Sequence, residues 1–500
     1  MTDRLILVVL CCALLASGCD DVAFTRVGSA PPADNDVTGT VRAILPTPSL
    51  APLFRTVRSD GLRLDSKLRR REIDGTRVAV GPLDRTVAID DWRSRAADTS
   101  LEVGAAVDDP SIVVPVRISS SHPPRICRLR VAAAEWLFAS DLTTDGEDAW
   151  RLAEANTAEL TARQSTVELI GDCPPLAGSD GKPTEATAQT VQAYAHRALR
   201  RAFQRAIAIR PLDAAGVLRE TVRLEHSSPL ENRRGTIDLR ARPPSGGLSL
   251  ETRGIRGRWA FDVSTDRAAC APPVPGRQPE PSPVAPIPAD TVTNTGADLA
   301  VGLSQSLLGR LAQSFALSGL ACRGRASGRN RTAYLDRISV PDARLNTIGL
   351  GQLPVDGQLF PVSYPGGLPR IELEARSNRL TATWPDLTLE LYGRIDGAPV
   401  EIAEVRATAT IVLRPTADDL DQLQFDVQSL QVEHASFSSP WADSGPGDDE
   451  LTRWARRLFL VVFDDHVAFP LPLEPGSPSR LEAVRVRRGD LLLLLELVPS

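Results

Sequence analysis

"ADLAVGLSQSLLGRLAQSFALSGLAC", residues 297–322, is the stretch whose reading decides the fold. From Leu303 onward, Leu303, Leu307, Leu311 and Phe315 recur at every fourth position, which lines them up on one face of an amphipathic helix. That face needs cover, either from the protein's own core or from the tails of a bound molecule. Packing on protein is the commoner use of such a stripe. A second helix is expected over 185–209, with Val191, Tyr194, Leu199 and Phe203 on its apolar face, arginines opposite, and Pro211 to end it. A third is expected over 450–463, where Leu451, Trp454 and Leu458 share a face.

Around these few helices the chain reads as long strands. In "LTATWPDLTLELYGRIDG" (380–397), Leu387, Leu389 and Leu391 share one face, while Thr388, Glu390 and Tyr392 share the other. One buried and one wet face is the mark of an antiparallel sheet, and the buried face has to be covered by another sheet or a helix. The economical solution is an α+β protein in which a strongly curved antiparallel sheet wraps around one or two long helices, once in each half. The proline-dense stretch 271–297 separates the halves as a semi-rigid linker. Two tandem domains are therefore expected, 37–270 and 298–500. Both halves run from strands to a helix to closing strands. Segment 47–57 corresponds to the 303–320 helix and 185–209 to 450–463, a duplicated architecture without a detectable sequence repeat.

The N-terminus sets the expected compartment. Arg4 precedes an apolar run from Leu5 to Ala16, too short to span a bilayer comfortably and followed by small residues. This is the layout of a signal peptide over 1–18. Leu15-Ala16-Ser17-Gly18-Cys19 resembles the lipobox of bacterial lipoproteins, which implies cleavage before Cys19 and acylation of that residue, with palmitate among the chains. The alternative is a plain signal peptide cut nearby. Residues 19–36 then form a lipidated tether, and two or more acyl chains anchor stably where one does not.

With Cys11 and Cys12 in the signal peptide and Cys19 as the anchor, four of the seven cysteines remain: Cys127, Cys173, Cys270 and Cys322. In an exported chain an even number reads as two disulfides, with three pairings open; Cys127–Cys173 and Cys270–Cys322 are favoured. No CxxC or HxxxH spacing supports a metal site, and no cofactor is expected. Asp464-Asp465-His466 has no G-x-S-x-G or other nucleophile motif beside it, so it does not make a catalytic site. "DLTTDGEDAW" (141–150) lacks the terminal glutamate of a calcium loop, and "PGDDE" (446–450) is read as the acidic start of a helix.

The second half resembles the second domain of bacterial members of the tubular lipid-binding superfamily, relatives of bactericidal/permeability-increasing protein. The carrying residues are the strand-to-helix lead Asp298–Ser304 and the helix through Ser318-Gly319-Leu320-Ala321-Cys322. The 384–411 strand and hairpin and the closing hairpin "RLEAVRVRRGDLLLLLEL" extend the match. The resemblance covers about 200 residues and involves no catalytic motif. It implies a lipid-binding tube in each domain, with Leu303, Leu307, Leu311, Phe315, Val191, Tyr194, Leu199 and Phe203 as candidate lining residues.

The charge balance departs from the host-defence relatives. With 57 basic and 63 acidic residues, and Lys67 and Lys182 as the only lysines, a basic lipid A-binding tip is not expected, nor is nucleic acid a partner. The expected function is that of a membrane-anchored lipoprotein that binds or shuttles lipid in the bacterial envelope, facing the periplasm and without enzymatic activity. The alternative is a structural or interaction lipoprotein whose tubes are filled by protein. The sequence leaves the oligomeric state open.

Overall fold

A computed structural model describes residues 39–498 apart from 97–99, 109, 120–124, 146–150, 156–157, 216–220, 229–232, 243–246, 252, 269, 274–286, 320, 323–337, 340–342, 356, 418–422, 443–444, 463–465, 470–478 and 488. The expectations for the signal peptide, Cys19 and the tether lie outside the described residues, as do Asp464 and Asp465. Most of the described chain is antiparallel sheet. Four longer helices accompany it: α1 (Thr47–Val57), α2 (Glu185–Ile207), α3 (Gln305–Leu317) and α4 (Asp448–Val462).

At the centre lies a sheet built by both halves of the sequence. Gly39–Pro46 and Leu299–Ser304 run antiparallel side by side, with Ile44 opposite Ala300. Beyond the first strand the sheet continues to Gly254–Thr265, Arg233–Arg242 and Thr221–Ser228; beyond the second it continues to Asp490–Leu497 and Ser479–Arg487. The connectivity is alike on the two sides. Gly39–Pro46 leads straight into α1, Leu299–Ser304 leads straight into α3, and each strand borders one from the end of its own half.

Two elements differ from the sequence expectation. Leu303 belongs to a strand, between Val41 and Leu491, and the helix starts only at Gln305. The reason is local: Ser304 adopts an extended backbone and its side chain accepts a hydrogen bond from the Leu307 N–H (3.2 Å), an N-cap that fixes the boundary. The helix ends at Leu317, with Ser318 as C-cap and Gly319 at φ +83°. The C-terminal end of the proline-rich stretch is also more than a spacer. Ile287, Val292 and Ala297 are buried on the central sheet against Ile44, Ala300, Leu492 and Leu494.

In the first half, two five-stranded sheets flank α2, which touches strands of both. Thr184 caps this helix by accepting from Thr187 N–H (3.2 Å), and its hydroxyl also donates to Asp74 Oδ2 (2.8 Å) at the tip of a hairpin. In the second half a seven-stranded sheet contains the long strands Arg379–Ile395, Ala398–Ala417 and Leu423–Ser438. Register shifts at Trp384/Leu387, Leu391/Tyr392, Arg406/Thr408 and Val412/Leu413 interrupt their pairing. Each such bulge adds local bend and twist, which curls the sheet. α4 lies against Leu423–Ser438, with Trp454 donating to Ala343 O (2.7 Å) and Asp448, Asp449 and Glu450 in its first turn. Those acids complement the helix dipole, as read for "PGDDE".

Both favoured disulfides are present, Cys127–Cys173 and Cys270–Cys322. The first joins residues 46 apart and ties a strand of one sheet to the turn that precedes α2. Closing a loop of this size restricts the unfolded chain, an effect typically worth about 2–4 kcal/mol. Cys127→Ser with Cys173→Ser is expected to lower unfolding stability by about that amount, read from urea melts. An unchanged midpoint counts against the bridge.

Candidate functional site

The candidate lining residues fall into two groups that share one continuous buried core. On the second-half side, Leu307, Leu311 and Phe315 project from α3, and Leu303 stands just ahead of them on its strand. α3 rests on the central strands Gly39–Pro46, Gly254–Thr265 and Leu299–Ser304 and on the short strand Arg370–Glu374, where Gln305 Oε1 accepts from Leu373 N–H (3.3 Å). Leu308, Ala312, Ala316 and Leu317 are buried as well, so the helix is enclosed on most of its circumference.

On the first-half side, Val191, Tyr194, Leu199 and Phe203 are all buried along α2. Phe203 stacks on Phe138 (5.0 Å between centroids) and Trp92 (6.1 Å), and Trp92 in turn stacks on Phe54 of α1 (5.2 Å). Tyr194 is apolar along its ring, while its hydroxyl is engaged by protein: it lies 2.8 Å from Ser66 Oγ and donates to Lys67 O (3.0 Å). Gly81 makes room for it, since a Cβ at that position would lie 1.8 Å from the hydroxyl.

Beside Tyr194 opens a cleft of about 730 Å³ along the C-terminal half of α2. Three chain segments converge on it. Arg197, Arg201 and Arg205 come from successive turns of α2, Lys67 and Arg69 from the segment around residues 65–69, and Arg151 from just ahead of the strand Leu152–Glu154. Two carboxylates also line it. Glu154 accepts from Gln204 Nε2 (2.9 Å), Ser140 Oγ (3.3 Å) and the Ala158 N–H, and Asp65 stands 4.0 Å from Arg205. Burial, and then the neighbouring charges of Arg69, Arg71, Arg201 and Arg200, hold the Arg197 pKa below its usual value.

The i, i+4, i+8 spacing of Arg197, Arg201 and Arg205 was visible in the sequence as the polar side of the helix. The cationic group they complete was not, because Lys67, Arg69 and Arg151 arrive from strands and turns far away in the chain.

His196 sits one residue before this row. Among the described residues its buried Nε2 has no hydrogen-bond partner, and its ring meets Trp136 edge-on at 6.5 Å. Burial lowers its pKa. The unfolded chain therefore binds the proton more readily, so His196 contributes stability that is complete above the unfolded pKa of roughly 6.5 and is lost as pH falls through the folded value. Urea midpoints are expected to drop between pH 7.5 and 5, and His196→Phe is expected to flatten that part of the profile; an unaltered slope refutes the assignment.

Among the described residues no group of three or more His, Cys, Asp or Glu is placed to hold a metal ion, and no helix is long and apolar enough to cross a membrane.

No family model matches the chain, and no curated protein matches it by sequence. Solved structures do match. A lipopolysaccharide binding protein aligns over 92% of this chain and 99% of its own, at 12% identity and TM-score 0.42. P47 of Clostridium botulinum E1 aligns over 92% and 100% at 8% identity and TM-score 0.28, and P47 from Clostridium botulinum A2 over 92% and 97% at 8% and 0.27. Similarity at this level bears on neither ligand nor activity.

Proposed function

We propose that this chain is an exported, lipid-anchored protein of the bacterial envelope that holds or shuttles lipid, taking acyl chains into the apolar interior against α2 and α3. The observation that carries the reading is the continuous apolar core that runs past both helices and along one face of the shared central sheet. The sequence resemblance of residues 298–500 to tubular lipid-binding proteins supports it. The mechanism is partition: each methylene moved out of water contributes about 0.8 kcal/mol, offset in part by ordering of the chain. No bond is made or broken, and no cofactor takes part. The two curved units, 37–270 and 298–500, each supply a tube, and Cys19 supplies the anchor.

A second reading has its own observation. Val191, Leu199 and Phe203 are 0% exposed and Phe315 is 1% exposed, so the protein's own atoms cover them. With tubes filled in this way the protein serves as a structural or interaction lipoprotein.

Solvent extraction of the purified mature protein separates the two readings. Stoichiometric lipid in the extract supports lipid holding, and an empty extract supports filled tubes. For the anchor, labelled palmitate is expected in the wild type and absent from Cys19→Ala; label retained by the variant contradicts it. Ester hydrolysis by the pure protein, lost in His466→Ala, would overturn the non-enzymatic reading.

A further inference from the structure

The cleft beside Tyr194 has a property that an apolar tube does not require. The protein as a whole carries a formal charge of −6, so acidic partners are plentiful along the sequence. Yet six basic side chains line this one concavity with two carboxylates, and Glu154 is already occupied by Gln204, Ser140 and the Ala158 N–H. Among the described residues, Arg69, Arg151, Arg197 and Arg201 form no ion pair; in the cleft only Arg205 has one, to Asp65. Bringing like charges together costs free energy, and burial of Arg197 raises that cost. Such an arrangement is relieved by an anion with several acceptor oxygens.

We propose that this cleft binds a compact oxyanion, a phosphate group, carried either by a small phosphorylated molecule or by a lipid headgroup. Guanidinium forks match phosphate oxygens in pairs, and a phosphate monoester carries close to two negative charges at neutral pH. The walls are suited to hold it in place. Arg197, Arg201 and Arg205 share one face of a regular helix, and Arg69 stands on a strand with Val80 as its cross-strand partner. The Tyr194 hydroxyl fixes the turn at Ser66 and Lys67 through its two hydrogen bonds. A volume of about 730 Å³ lies in the range of small-molecule sites. Concavity distinguishes the cleft from a flat basic patch for a membrane surface. The proposal is independent of the acyl-chain reading, because none of these basic groups belongs to the apolar lining.

Calorimetric titration of the mature protein tests it with four probes: inorganic phosphate, pyrophosphate, dihexanoylphosphatidic acid and dihexanoylphosphatidylcholine. The double variant Arg197→Gln/Arg201→Gln and the single variant Arg69→Gln attack the cleft from two walls, and Arg117→Gln alters an exposed arginine elsewhere. The expected result is binding of phosphate or pyrophosphate, weakened roughly ten- to a hundredfold by the double variant and unchanged by Arg117→Gln. That pattern assigns a small phosphorylated ligand. Binding confined to dihexanoylphosphatidic acid, with the same losses, assigns a headgroup. The proposal is overturned if no probe binds, if Arg117→Gln weakens binding as much as the cleft variants, or if dihexanoylphosphatidylcholine binds best and ignores the arginine changes.

Discussion

Asp490→Ala is expected to destabilise the protein by about 3–5 kcal/mol, because it leaves the Arg42 guanidinium buried in the central sheet without its carboxylate. Asp490 is 1% exposed and Arg42 6%, and the two form a salt bridge between the last strand and the first. Arg42 sits opposite Gly302 and Asp490 opposite Ser304, so the pair reaches across the strand Leu299–Ser304 and joins the two halves. Burial raises the Asp490 pKa although Arg42 pulls it down, and burial lowers that of Arg42 although Asp490 pulls it up. Both directions say that desolvation outweighs the attraction. The pair is thus costly to break and of small net benefit to stability. It follows that the double change Arg42→Met/Asp490→Leu recovers most of the loss, since apolar replacement of a buried pair is commonly neutral or stabilising. Urea melts of the two single variants and the double variant give the coupling. A loss below about 1 kcal/mol in Asp490→Ala, the range of exposed pairs, contradicts the account.

Phe203→Ala is the second large effect, also about 3–5 kcal/mol, from lost burial plus the cavity left behind. The ring is 0% exposed and stands in the aromatic series from Phe54 through Trp92 to Phe138, which couples α1, two strands of one sheet and α2. Each stacked pair adds about 0.5–1.5 kcal/mol beyond its buried area. The expected signature is a lower urea midpoint with reduced near-ultraviolet ellipticity, and Phe203→Leu is expected to lose less. An alanine variant that keeps its urea midpoint contradicts this aromatic packing.

The sequence made the local elements legible where a single periodicity ruled them. α2 and α4 fall within two residues of the expected limits, because an apolar stripe coincides with a clear stop or start signal, Pro211 for the one and the acids at 448–450 for the other. The disulfides were legible as well, since each pair joins cysteines of the same stretch of chain. α3 was read two residues too early because Leu303 fits both a helical stripe and a strand; only the cap at Ser304 separates the two, and a serine there is one of several in the segment. What the sequence could not convey was the meeting of distant segments. The central sheet pairs residue 44 with 300 and residue 303 with 491, and no spacing rule reports contacts at that range. The same holds for the cationic cleft, whose arginines are ordinary polar-face residues until Lys67, Arg69 and Arg151 are folded against them.

The central claim is that the apolar interior against α3 and α2 takes lipid, and native mass spectrometry of the mature protein, purified without detergent, tests it most directly. The account predicts co-purifying masses in the lipid range that disappear in the Leu307→Trp/Leu311→Trp variant while the fold is retained. A single apo mass that stays unchanged after incubation with envelope lipids would contradict it and leave a protein whose tubes are closed by their own side chains.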